Sequence, residues 1–239
     1  MSTLALLAVP LGLSAGVLTT LAGQGGGLLL LLFCSFIAGP HAALAVTAPA
    51  LLLGNVHRAF LFRKDVDRRM ALRLVAGALP GAFAGGLLAG VASPVVLHVL
   101  LVGLTALSIA KAIGWLRFSV PNGALGPAGF VVGTLTGTSG GAGVLFAPLL
   151  LATGLTGRAF IGTIAVVAVS AHVGRVVAYG WTGLFSRELL FATALVAAAI
   201  FVGNALGERV RRVLSDRTST RLEYGVLVVC VLLSVSGLA

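Results

Sequence analysis

Charge is what this 239-residue chain has least of. Only 9% of its residues are Asp, Glu, Lys or Arg, where soluble domains carry about 25%. Hydrophobic residues make up 59%, and the mean hydropathy is +1.12. So little polar surface excludes a soluble fold, and the chain reads as an all-α integral membrane protein. Acids are scarcer still. The six are Asp65, Asp67, Glu188, Glu208, Asp216 and Glu223, each at or near the end of an apolar segment. A carboxylate proton relay of the usual kind is therefore not expected, and an anion path meets no buried repulsion. Cys34 and Cys230 are far apart and both lie in apolar surroundings. They offer neither a disulfide framework nor metal spacing and read as packing residues. The chain has no H-E-x-x-H pattern and no Asp/His cluster, and Ser139 with a distant His172 is the only nucleophile–base pair on offer. An intramembrane enzyme is thus the weaker class, and no cofactor or metal is expected. Without a phosphate-binding loop the chain cannot drive transport with ATP by itself. No basic residue precedes the first apolar run, as a secretory signal requires, so that run reads as a retained membrane segment.

Basic residues are present, and the net charge is +10. They sit in short clusters between apolar segments, which reads as a topology signal rather than a nucleic-acid face. The apolar segments fall at 4–22, 26–38, 42–62, 70–91, 94–116, 122–136, 142–154, 158–181, 188–208 and 220–238. Six of them, about 20 residues each, can cross the hydrocarbon core. The other four form two pairs around glycine-rich breaks, Gly23-Gln-Gly-Gly-Gly27 and Gly137-Thr-Ser-Gly-Gly141. Segments 26–38 and 142–154 have 13 residues each, a reach of only about 20 Å. The limb before each break has a similar apolar reach, beginning near Val9 in the first copy.

The two halves are copies, expected as repeats over 1–117 and 118–239. An offset of 114 aligns Gly12, Thr20, Gly23, Gly26 and Gly27 with Gly126, Thr134, Gly137, Gly140 and Gly141. An offset of 115 aligns His57 with His172, and 122 aligns Gly81-xxx-Gly85 with Gly203-xxx-Gly207. Such GxxxG pairs serve close helix packing. Charge then orients the copies. Arg63, Lys64, Arg68, Arg69 and Arg73 follow the first full crossing of the first half, whereas the equivalent stretch of the second half holds only Arg187. Arg209, Arg211, Arg212, Arg217 and Arg221 follow the next crossing of the second half, whose first-half equivalent at 91–94 is uncharged. Equivalent loops thus face opposite sides, as in inverted-topology repeats. Inversion requires an odd number of crossings per half. Each half is therefore expected to be a hairpin of two short helices plus three transmembrane helices. All basic residues but Arg58, Arg175 and Arg187, 13 of 16, then lie on the cytoplasmic side. A broken spanning helix with parallel repeats is the competing arrangement.

The runs Gly12-Leu-Ser-Ala-Gly-Val-Leu-Thr-Thr-Leu-Ala-Gly-Gln-Gly-Gly-Gly27 and Gly133-Thr-Leu-Thr-Gly-Thr-Ser-Gly-Gly-Ala-Gly-Val-Leu-Phe-Ala-Pro148 resemble those of the TauE/SafE sulfite exporter family, the toluene-sulfonate uptake permease group. The second copy, with Pro148 and Thr163, is the closer; Leu32-Phe33 stands where the family often has proline. The resemblance spans nearly the whole chain. It implies a multi-pass permease of the bacterial inner membrane for sulfite, thiosulfate, sulfoacetate, sulfolactate or related sulfonates.

The residues themselves suggest how an anion is held. A helix beginning at about Gly27, and another at about Gly141, each offers unpaired backbone N–H groups and the positive end of a dipole. Glycine at Gly25, Gly26, Gly27, Gly140 and Gly141 lets a ligand approach the backbone. Gln24, Thr138 and Ser139 supply side-chain hydrogen bonds, with Thr19, Thr20, Thr134 and Thr136 within about a turn. The next helices carry Asn55, His57 and Arg58, and Ser170, His172 and Arg175, and ionisable groups inside a span mark function. The histidines offer hydrogen bonds or proton coupling, and the arginines either hold the anion or snorkel to the surface. His41 and His98 have no counterparts and read as packing residues. Two opposed hairpins are expected to bring their tips together near the midplane as one site. A secondary transporter leads, an anion channel using the same site follows, and a structural subunit gives the breaks no purpose. Proton or sodium coupling, the particular anion, the direction of transport and homo-oligomerisation stay open.

Overall fold

The computed structural model describes residues 3–22, 25–112, 121–140, 145–213 and 225. Nine α-helices carry the described residues: α1 (Thr3–Ala22), α2 (Gly26–Ala38), α3 (Pro40–Leu61), α4 (Arg68–Val91), α5 (Pro94–Ala112), α6 (Leu125–Ser139), α7 (Phe146–Leu151), α8 (Gly157–Trp181) and α9 (Arg187–Arg211), with a short 3₁₀ turn at Asn122–Ala124 before α6. Four helices, α3, α4, α8 and α9, are long and apolar enough to cross a membrane. α5 begins where the fifth apolar segment was expected. The tenth segment, 220–238, and Cys230 lie outside the described residues apart from Gly225. α7 is shorter than the 13-residue limb expected there, and residues 141–144 lie outside the described set. α1 matches the first apolar segment, 4–22, within one residue, and so begins ahead of the Val9 limb start. Its 20 residues reach about 30 Å.

Glycine sets the packing. Gly77, Gly81 and Gly85 of α4 lie against the backbone of Gly126, Phe130 and Thr134 of α6 so closely that a Cβ at any of them would collide with a carbonyl oxygen. α4 and α6 therefore run parallel in backbone contact, the small-residue seam that lipid-embedded helices use. α1 and α9 repeat the arrangement. Gly12 and Gly16 abut Val196 and Ile200, while Gly203 and Gly207 abut Leu13 and Val17. α4 also runs parallel to α8, with Gly86 against Ala178 and Gly90 against Thr182. α3 and α8 run antiparallel. Phe62, just past α3, packs on Gly162, and the Asp67 N–H donates to Thr163 Oγ1 at 2.9 Å.

The first limb of each hairpin thus packs on the other half's long helix. Both hydrophobic clusters accordingly draw on both halves. One gathers Leu30, Leu44 and Leu97 with Val196 and Ile200; the other gathers Phe62, Leu74 and Ala82 with Phe146, Ile161 and Val167. Cys34 is fully buried in the first, as a packing residue should be. Charge segregates along the same axis. Arg158 Nε pairs with Asp65 Oδ2 at 3.1 Å, and α3 and α9 point the same way, so the basic ends after both helices share one end of the bundle. The turns at 92–93 and 182–186 share the other, joined by Gly90 and Thr182.

Candidate functional site

Two buried arginines anchor two polar clusters. Arg58, in the last turn of α3, is 2% exposed, and Arg175, in α8, is fully buried. Neither snorkels. Arg58 donates from Nη1 to the Thr19 carbonyl at 2.8 Å and from Nη2 to Asn55 Oδ1 at 2.7 Å. Thr19 belongs to the last turn of α1, so this guanidinium sits at the carbonyl end of a helix, where a cation opposes the negative end of the dipole. Asn55 is held in turn by its Nδ2 donating to Leu51 O at 2.8 Å.

Arg175 donates from Nη1 to His172 Nδ1 at 3.0 Å and from Nε to Tyr179 Oη at 3.2 Å, and Tyr179 donates to Gly137 O, in the last turns of α6, at 2.6 Å. Since a guanidinium only donates, His172 Nδ1 accepts and the neutral ring carries its proton on Nε2. Arg175 Nη2 has no hydrogen-bond partner among the described residues. It faces the hairpin tip, where a Cβ on Gly140 would come within 2.9 Å of it.

These contacts revise the internal register. Asn55–Arg58 and His172–Arg175 occupy corresponding places, related by an offset of 117, which also relates the starts of α3 and α8 at Pro40 and Gly157. His57 is not the counterpart of His172. Its ring stacks on Phe201 at 4.5 Å and 7°, away from Arg58. Ser170 donates to Val167 O in its own helix at 2.7 Å.

Backbone geometry requires glycine at both tips. Gly25 has φ of 90° and Gly140 φ of 75°, left-handed conformations that a side chain would strain. Among the described residues no side chain caps the N-terminus of α2, whose first intrahelical acceptor, Gly25 O, serves Leu29 N. The N–H groups of Gly26, Gly27 and Leu28 therefore point out of the helix. Gly26 packs on Ala15 and Thr19, and Gly27 on Leu51. Those three residues also line a small cleft, with room for about one water molecule, whose walls are completed by Gly54, Asn55, Arg58, Ile200 and Asn204. Gln24 and Gly141, with Gly23, lie outside the described residues.

The tip hydroxyls are engaged differently from expectation. Thr134, Thr136, Thr138 and Ser139 donate to the carbonyls of Phe130, Val132, Thr134 and Leu135, four residues back, and Thr19 donates to Ala15 O. A hydroxyl has one proton, and here it is committed to the helix rather than offered to a ligand. Thr20 donates to Asn204 Oδ1 at 3.0 Å.

The first limbs end beside different long helices. The last turn of α1 lies beside Gly207 and Arg211 at the end of α9, and Arg211 Nη1 donates to Leu21 O at 2.6 Å. The last turn of α6 lies beside Gly85 and Gly86 near the end of α4. α4 and α9 run in opposite directions, so the first limbs end toward opposite faces.

Asn204 and Tyr179 complete these clusters, 2% and 0% exposed, and the sequence reading passed over both. Each is a lone polar side chain within an apolar helix, the signal by which either is found. Among the described residues, neither cluster includes a carboxylate and no three His, Cys, Asp or Glu gather to hold a metal.

Long apolar helices, helix-breaking tips and buried cationic clusters define a membrane transport protein. The family model "Sulfite exporter TauE/SafE" matches residues 8–236, and the chain belongs to that family. Neither a curated protein nor a solved structure matches it.

Proposed function

We propose that the chain is a secondary transporter that carries a sulfur-containing anion, such as sulfite, thiosulfate or an organosulfonate, across the bacterial inner membrane. Halves 1–117 and 118–239 are inverted repeats, and the anion is held in turn at the Arg58 and Arg175 clusters. The observation that carries this reading is the pair of buried arginines, each beside the break of its own hairpin and each joined to a neutral side chain three residues earlier. Placing a cation in a low-dielectric interior costs several kcal/mol, an expense that a bound anion offsets. The family supports sulfur anions as the cargo. The inverted arrangement draws support from the antiparallel course of α3 and α8 and from the exchange of partners between α1–α9 and α6–α4.

In this reading Asn55, His172, Arg58 and Arg175 contact or orient the anion. Gly25, Gly26, Gly27 and Gly140 bring backbone to it. Thr20 holds Asn204, while Thr134, Thr138, Ser139 and Ser170 shape the helices, and His57 packs. The test is uptake by the purified protein in proteoliposomes, with sulfite, thiosulfate, sulfoacetate, taurine and chloride as cargo. Saturable uptake of a sulfur anion is expected, and failure with every sulfur anion refutes the reading. Non-saturating, uncoupled flux would make the protein a channel.

A further inference from the structure

The neutral partners of the two buried arginines differ in one chemical respect. Asn55 Oδ1, which accepts from Arg58, cannot take up a proton near neutral pH, whereas His172 Nδ1, which accepts from Arg175 Nη1 at 3.0 Å, can. A guanidinium only donates, so the bond to His172 lasts only while Nδ1 is bare. A proton there turns the acceptor into a donor and sets two cations side by side. Protonation of His172 and its bond to Arg175 therefore exclude each other. The charged groups whose fields reach the ring are Arg175 and, from α3, Arg58. Tyr179 is the titratable neighbour, its Oη accepting from Arg175 Nε and donating to the Gly137 carbonyl of α6. α4 and α7 bring apolar groups: Leu79, Ala82 and Phe83 lie at Gly174, and Phe146 shares a hydrophobic cluster with Ala171.

Arg175 has one donor still to place. Its Nη2 is buried and has no hydrogen-bond partner among the described residues. It lies at a closed tip, where a Cβ on Gly140 would meet Leu31, Leu44 and Nη2 itself. The guanidinium thus reaches a new acceptor by turning rather than by receiving one into a standing cavity. We propose that His172 is the proton-coupling residue of transport: an anion that draws Arg175 away leaves Nδ1 bare, and a proton from water takes the vacated place. The anion also offsets the guanidinium's charge beside the ring, so anion and proton favour each other's binding and travel in the same direction. On release the proton leaves Nδ1 and Arg175 returns to it. The first half has no such step, because Asn55 does not titrate. This inference rests on the transport reading above.

The experiment counts protons. Thiosulfate and sulfoacetate are the probes, because both stay fully ionised near neutral pH, where sulfite itself titrates. Calorimetric titration of detergent-solubilised wild type, in buffers of different ionisation enthalpy, should show uptake of up to about one proton per bound anion. Affinity should fall as pH rises, by up to about tenfold per pH unit. His172→Asn copies the Asn55 arrangement, keeping an acceptor for Arg175 without a titrating nitrogen. It should match wild-type affinity within about threefold at alkaline pH, take up no proton and lose the pH dependence. In proteoliposomes the wild type should acidify the lumen as it imports a probe, and the variant should not. His57→Asn, at the ring stacked on Phe201, should keep the full proton count. Wild-type binding without proton uptake overturns the proposal and needs no variant to fold. Proton uptake that persists in folded His172→Asn, as a merely structural histidine would allow, overturns it too, and so does loss of all binding in that variant, which would make His172 a ligand instead of a carrier. Wild-type protein that neither binds nor moves either probe overturns the transport reading itself.

Discussion

Replacing Arg58 by methionine separates its service to the fold from its service to an anion. The side chain is 2% exposed, and its hydrogen bonds include those to Thr19 O and Asn55 Oδ1. Methionine keeps most of the volume and removes the charge. For the fold the terms oppose each other. Two acceptors lose a charged donor, at about 1–3 kcal/mol each, while the removal of a buried charge relieves a desolvation cost of several kcal/mol. The net change in stability should therefore stay within about 2 kcal/mol of zero. For an anion the terms do not cancel. A unit charge held about 4 Å from the guanidinium gains roughly 4 kcal/mol at an effective dielectric of 20, which is about a thousandfold in affinity. Arg58→Met should thus weaken sulfonate or sulfite binding by about a hundred- to a thousandfold, with a melting transition close to wild type. Arg58→Lys keeps the charge but loses the fork that reaches Thr19 and Asn55 together, and should fall between the two. Titration calorimetry on detergent-solubilised protein, with a parallel thermal melt, reads both quantities. Binding by folded Arg58→Met within about threefold of wild type would refute the reasoning, because no arrangement with the anion against Arg58 survives loss of that charge unnoticed.

Three further outcomes follow from the same geometry. Gly85→Ala places a methyl group on the Thr134 carbonyl, so α4 and α6 must part and the melt should fall by the equivalent of about 1–3 kcal/mol; Gly103→Ala, with open space around its Cβ, should be neutral or slightly stabilising. Thr138→Val should leave anion affinity within about twofold, because the deleted hydroxyl donates to Thr134 O and is not available to a ligand; a tenfold loss would show that the hydroxyl turns to the anion. Single cysteines at Ser93 and Val213, each following the equivalent long helix of its half, should react with an impermeant thiol reagent from opposite faces of the membrane, and reaction from one face would defeat the inverted arrangement.

What the sequence revealed and what it hid differ in kind. Hydropathy, glycine spacing and the placement of arginines are one-dimensional records of an element's length, its packing seam and its end of the bundle. α2 to α6, α8 and α9 accordingly begin within about three residues of the segments read from them. Tip depth leaves no such record. Val9 was taken as the start of the first limb because apolar reach was counted, yet the helix begins at Thr3, and its end is placed by a seam with α9 nearly two hundred residues later in the chain. The hydroxyls misled for a related reason. Their spacing beside a break suits a ligand, but within a helix in lipid the carbonyl four residues back is a nearer acceptor than any solute. The pairing of His57 with His172 is the more instructive case. Matching identical letters gave an offset of 115, while matching chemistry gives 117, because an arginine on one side of a helix turn asks only for a neutral acceptor three residues before it. Asn55 Oδ1 meets that need in one half and His172 Nδ1 in the other. Two halves that need the same cation can thus diverge at its partner. The two arginines accordingly keep different neutral partners, the Asn55 amide at Arg58 and the His172 imidazole at Arg175.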